Sequence, residues 1–218
     1  MMEYAESPDV AYRPYGSNPC RRSVKFKEYR RKRHIRTDEF PLIGQAMRAA
    51  AEEHPREMAA ILCILLAGSR VTELAHARHD QLDTARMCIV LREHKTARTG
   101  EDRVIWLPSQ AVQLIRNLPV DRSGYLFGRG LDRFGLRRVW LKVVTAAGCP
   151  DVRMQDLRRT FASVAKSRGV GLHAVGELLG HKQTETTNRY AFLFEERAAG
   201  LAQETGDAIS GLLEGGKS

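Results

Sequence analysis

Two arginines stand where arginine is electrostatically misplaced. Arg70 follows Gly68-Ser69 and opens a segment with Val71, Leu74 and Ala75 on its apolar side. Arg158 follows Gln155-Asp156 and opens another, with Leu157, Phe161, Val164 and Ala165 at helical spacing. Both patterns predict the first turn of a helix. That end of a helix favours negative charge, so a cation there conflicts with the dipole unless an anion binds. Backbone N–H groups and a guanidinium fork would then make a phosphate site. The alternative is a surface arginine paired with a nearby acid such as Glu73, and for either arginine alone it stays open. Three further groups could handle protons or attack: Lys95 beside Thr96, His181 after Leu178-Leu179-Gly180, and Tyr190 in TTNRYAFL. Singly they read as a solvated lysine, a capping histidine and a half-buried tyrosine. Their order and spacing carry the weight.

The elements that must position these groups are legible in outline. Thr37 or Asp38 can cap a helix carrying Phe40, Ile43 and Met47 on one face. A second helix runs from Pro55 to Ala67 and stops at Gly68. A third begins at Ser69 and carries Arg70. Met87–Leu91 and Val104–Leu107 are short β-rich runs around a polar turn, which predicts a hairpin holding Lys95. Ser109 can cap a helix with Val112, Leu114 and Ile115, and Leu131–Ala147 contains another. Asp156 is a cap for the helix of Arg158, which Gly169 ends. A short helix with Val175, Leu178 and Leu179 ends at Gly180. Thr184 or Thr186 can start a last helix through Tyr190 and Phe194, followed by a tail with Leu201, Ile209, Leu212 and Leu213. The sum is mainly α with a small antiparallel β-sheet.

Composition narrows the partners. The 218 residues carry a net charge of +9, concentrated between Arg21 and Arg36, where nine Lys or Arg meet one acid. Arg21, Arg22, Lys25, Lys27, Arg30, Arg31, Lys32, Arg33 and Arg36 form that run, an electrostatic footprint for a polyanion. Few apolar anchors accompany them, so nucleic acid suits the segment better than a membrane surface. The alternative is a solvated linker. No stretch is long and apolar enough to span a bilayer. The N-terminus lacks a signal-peptide pattern, which favours the cytoplasm. Cys20, Cys63, Cys88 and Cys149 are scattered and suggest no disulfide framework or zinc site. His76-x-x-His79 has metal-like spacing but lacks a third ligand.

Taken in order, these segments resemble the tyrosine recombinase, or phage integrase, family from about Asn18 to Phe194. AGSRVTELAHAR resembles its first arginine box, with Arg70 and Glu73; HKTARTGEDRVIWLP resembles the hairpin with the active lysine, Lys95. QDLRRTFAS resembles the second arginine box, with Arg158. LLGH supplies His181, and TETTNRYAF places Tyr190 as the nucleophile. One residue departs from the pattern: Gln155 stands where the family usually has histidine. Glutamine can hydrogen-bond but carries no proton at neutral pH. At the front, RPYGSNPCRRSVKFKEYRRKRH resembles the linker that follows a separate core-binding domain, so a catalytic fragment or truncated product is expected.

The resemblance implies the recombinase catalytic-domain fold over residues 37–200, after an arm and basic linker at 1–36 and before a tail at 201–218. It implies transesterification at a DNA phosphodiester. Tyr190 attacks the phosphorus, leaving a 3′-phosphotyrosyl link and a free 5′-hydroxyl. Arg70 and Arg158 hold the non-bridging oxygens. Lys95 protonates the leaving oxygen. His181 binds the phosphate or helps deprotonate the phenol, and Gln155 donates a hydrogen bond. The scheme calls for no metal or other cofactor. Its partners are double-stranded DNA and further copies of the chain, as a tetramer on DNA and a monomer without it. Integration or excision of a mobile element is the expected task. The competing expectation is a decayed DNA-binding remnant, and a topoisomerase-like relaxing enzyme would share the chemistry.

Overall fold

The computed structural model describes residues 31–92, 102–119, 121–180 and 191–215, with backbone alone for 191–197. The chain divides into two units, Met1–Lys32 and Arg33–Ser218. The second is built around helix α2, Pro55–Ala67, which buries Met58 to Ile61 and Cys63 to Ala67. A helix apolar on nearly every side belongs in the centre of a core. Helices α1 (Phe40–Glu53), α4 (Ser109–Arg116), α5 (Arg133–Ala146), α6 (Met154–Ser167) and α8 (Ala191–Leu213) all pack against it. Helices α3 (Val71–Ala75) and α7 (Leu172–Leu178) are short and lie on either side of α6 in the sequence. No described helix is long and apolar enough to cross a membrane.

The expected hairpin is present as strands β2 (Cys88–Leu91) and β3 (Arg103–Trp106), paired antiparallel with Cys88 opposite Trp106 and Leu91 opposite Arg103. A two-residue strand β1, Leu82–Asp83, completes the sheet in the order β1-β2-β3. Its two residues are too few to show alternation, which is why sequence patterning misses it.

Several helix starts differ from expectation. The N-cap of α1 is Glu39, not Thr37 or Asp38. Its carboxylate faces back along the chain and accepts from the Arg36 amide at 2.8 Å and from the Arg33 guanidinium at 2.7 and 2.8 Å. Pro41 lies in the first turn and has no N–H to satisfy, which lowers the need for a side-chain cap. Pro108, not Ser109, caps α4. Asp156 stands at the third position of α6, not at its cap, and accepts the amide of the N-cap residue Arg153 at 2.9 Å. This is the reciprocal half of a capping box. The stop signals are where glycine requires them: Gly68, Gly169 and Gly180 have φ of +61°, +82° and +66°.

Helix α8 runs without a break through residues 200 and 201 and lies on α1, α2 and α6. Ala198, Ala202, Ile209 and Leu213 are buried there. Its end meets α1 so closely that a Cβ on Gly44 would collide with the Leu213 carbonyl oxygen. Gln203 and Asp207 on α8 latch onto α4 through the Ser109 amide and the Gln110 side chain, at 2.7 and 2.6 Å.

Candidate active site

The two arginine boxes meet through main chain. Gly68 ends α2 in the left-handed conformation, and a Cβ on it would collide with Phe161 of α6 and Leu179 after α7. The turn therefore presses α2, α6 and the end of α7 together. Arg70 is the N-cap of α3, in extended conformation. Its amide and guanidinium both go to Glu73, at 3.1 and 2.5 Å. Arg158, on the second turn of α6, donates to the Gly68 carbonyl at 2.7 Å and to the Leu179 carbonyl at 2.6 Å. Those oxygens end two different helices, where carbonyls lack intrahelical partners and a cation is favoured. One guanidinium thus ties both helix ends to α6.

Arg70, Gln155 and Arg158 line a single cleft of about 730 Å³. Arg133 and Arg137 from α5 and Arg153 from the α6 cap line it too, and among the described residues no carboxylate does. Trp140 also lines the cleft, and its indole N–H donates to the Val152 carbonyl at 2.9 Å. Burial, with the neighbouring charges of Arg70 and Arg103, pushes the Arg158 guanidinium down to about 10, against the pull of Glu73. It is still a cation at neutral pH, held in an environment that favours a counter-anion. The positive end of the α6 dipole borders the same space.

Sequence patterning brought out Arg70 and Arg158, the family resemblance brought out Gln155, and all three share this cleft. It missed four arginines. Arg133 and Arg137 are an i, i+4 like-charge pair, which is unfavourable on an isolated helix and was the one available signal. Arg153 gave none. Arg103 lies in β3 with 8% of its surface exposed, and its burial depends on residues far away in the chain. Lys95, His181 and Tyr190 lie outside the described residues.

The basic run shows two situations. Arg21, Arg22, Lys25, Lys27 and Arg30 lie outside the described residues. Arg31 and Lys32 end the first unit and have interactions of their own. Arg33 bonds Glu39 and Asp151, the latter at 2.8 Å, and its side chain is 15% exposed. Arg36 pairs with Asp38 and Glu39 at 3.3 and 3.0 Å but keeps 63% exposure.

The family model described as phage integrase matches residues 33–197. The chain is 33% identical over 167 residues to tyrosine recombinase XerA of Thermococcus kodakarensis, over 72% of this chain and 58% of that protein. It is 24% identical over 166 residues to tyrosine recombinase XerC of Lactobacillus leichmannii, over 68% and 55%. The chain thus spans between half and three-fifths of the length of these curated relatives. Among solved structures, XerA recombinase superposes with a TM-score of 0.57 at 22% identity, over 80% of this chain and 66% of that one. A lambda integrase dimer bound to a COC′ core site gives 0.56 at 18% identity, over 72% and 60%.

Proposed function

The chain belongs to the phage integrase family, and from that premise we propose that it is a site-specific DNA recombinase that cuts and rejoins duplex DNA through Tyr190. One observation carries the reading. Arg70 and Arg158, from different helices, line one arginine-rich cleft to which no described carboxylate contributes. Such a site suits a phosphodiester whose charge grows during reaction.

Tyr190 attacks the scissile phosphorus in line, leaving a 3′-phosphotyrosyl bond and a 5′-hydroxyl. A phenol has a pKa of about 10 and is a weak nucleophile at neutral pH, so a strongly cationic site or a base must assist it. Arg70 and Arg158 hold the two non-bridging oxygens. Lys95 delivers a proton to the leaving 5′-oxygen, and His181 hydrogen-bonds the phosphate or assists the phenol. Gln155 donates a hydrogen bond. The basic run from Arg21 to Arg36 grips the DNA backbone without reading bases. Several copies act together on DNA, with integration or excision of a mobile element as the task.

A nicked duplex bearing the cognate site tests the chemistry, because loss of a short strand after cleavage traps the intermediate. The expected result is a covalent protein–DNA adduct that disappears in Tyr190→Phe. Gln155 favours a second reading, a DNA-binding remnant without chemistry. Site-specific binding by the wild-type chain with no adduct would establish that one instead.

A further inference from the structure

Arg103 has no place in the scheme above, yet it lies beside Glu73, the carboxylate that holds Arg70. It stands at the start of β3, eight residues after Lys95 in the sequence. Its Nη2 donates to the Leu178 carbonyl at 3.3 Å, at the end of α7, from which the chain passes to His181. Gly180 lies close against the guanidinium: a Cβ there would collide with Cζ. Its Nε lies 3.9 Å from Oε2 of Glu73, the carboxylate that holds Arg70, and has no hydrogen-bond partner among the described residues.

Burying this charge is unfavourable. Desolvation lowers the Arg103 pKa, Glu73 opposes that, and Arg70 adds repulsion. A purely structural tie between β3 and α7 would be served as well by an apolar side chain. A charge of this kind makes sense when the resting arrangement is compared with the one that phosphate requires. At rest Arg70 commits an Nη to Glu73 Oε1 at 2.5 Å. To take a phosphate oxygen it must loosen that bond, and Glu73, with only 10% of its side chain exposed, would lose its counter-charge and draw Arg70 back. Arg103 is a second cation already beside the other carboxylate oxygen, with its Nε–H available.

We propose that Arg103 is a positioning residue that neutralises Glu73 while Arg70 is handed over to the phosphate. It acts through Glu73 and never meets the reacting atoms. The inference rests on the cleft being the phosphate site.

The test measures inorganic phosphate binding to the whole chain by calorimetric titration at low ionic strength. In Arg103→Gln the Arg70-dependent affinity is expected to fall about tenfold, a coupling typical of residues within one charge network. Glu73→Gln added to the same chain should recover most of the loss, because no carboxylate then competes for Arg70. Arg103→Lys, which keeps the charge, should recover part of it. Should Arg103→Gln not fold, Arg103→Lys with and without Glu73→Gln carries the test, under the same requirement of non-additivity. Arg70-dependent binding that is unchanged in Arg103→Gln, or equally weak with and without Glu73→Gln, overturns the role of Arg103 alone. Phosphate binding that is the same in wild type and Arg70→Ala overturns the reading of the cleft itself.

Discussion

Arg70 and Arg158 are expected to do the same chemistry, but they are held in different ways, and substitution should separate the two. Arg70 is half exposed, and its partner Glu73 keeps a second cation, Arg103, 3.9 Å away when Arg70 is removed, so loss of the pair should cost little stability. Arg158 satisfies the carbonyls of Gly68 and Leu179. Removing its fork leaves both unpaired, at a cost of about 2 kcal/mol. Either alanine substitution should reduce cleavage by about a hundredfold or more, as removal of a transition-state donor does. Only Arg158→Ala should lower the midpoint of denaturant unfolding clearly. Equal stability of the two variants would contradict the assigned geometry. Gln155 offers a second measurement. Gln155→His is expected to speed single-turnover cleavage severalfold and to add an ionisation near pH ~6.5. A rate without such an inflection would mean that the position only hydrogen-bonds. Arg70 was legible because a stop glycine set it at a helix start; the apolar period found the helix of Arg158 but placed that residue in the first turn, and it lies in the second because Arg153, not Asp156, is the N-cap. Arg103 was not legible, because its carboxylate and carbonyl partners come from α3 and α7.

Among the elements, the extended segment before α1 is fixed by polar contacts that sequence reading did not anticipate. The Ile35 amide donates to the Thr160 hydroxyl on α6 at 2.9 Å, and Arg33 bridges Glu39 and Asp151. Burial alone would raise the Glu39 pKa, but hydrogen bonds from Arg33 and the Arg36 amide hold it below the ordinary carboxylate range. A carboxylate depressed in the folded state contributes stability above its unfolded pKa of about 4.3 and loses it as pH falls through the folded value. Stability should therefore drop on acidification below about pH 4.3. Glu39→Gln should cost about 2 kcal/mol at neutral pH and flatten that acid slope. Denaturant midpoints across pH 3 to 7 check both, and a slope unchanged by the substitution would remove the role given to Glu39. The helices and the hairpin were readable because apolar spacing alone decides them. Their starts were less so: Glu39 and Asp156 each turn back to the amide three residues earlier, a choice that apolar spacing does not encode.

For the molecule as a whole, the proposed binding of DNA rests on charge. The cluster from Arg21 to Arg36 was plain in the sequence, yet Arg33 finds its acids at Glu39 and Asp151. The second of those could not be foreseen from local spacing. Gripping should then depend mainly on the other cations. Substituting Arg21, Arg22, Lys25 and Lys27 with glutamine should weaken binding to any duplex alike. It should also reduce the slope of log affinity against log salt by up to about 0.9 for each phosphate that is no longer neutralised. Salt-dependent titrations with unrelated duplexes measure this, and an unchanged slope would show that those side chains do not meet phosphate. The tail residues Ile209 and Leu213 are buried on their own chain, so they are not free to pack on a second copy. A monomer is expected in sedimentation without DNA.

The most direct measurement is a crystal structure of the chain grown in sulfate or with a short duplex. A tetrahedral anion or scissile phosphate is expected between the guanidinium groups of Arg70 and Arg158, beside Gln155, with the Tyr190 hydroxyl within reach of it. An anion bound elsewhere with this cleft empty, or a Tyr190 hydroxyl turned away from a phosphate that is held there, would contradict that expectation.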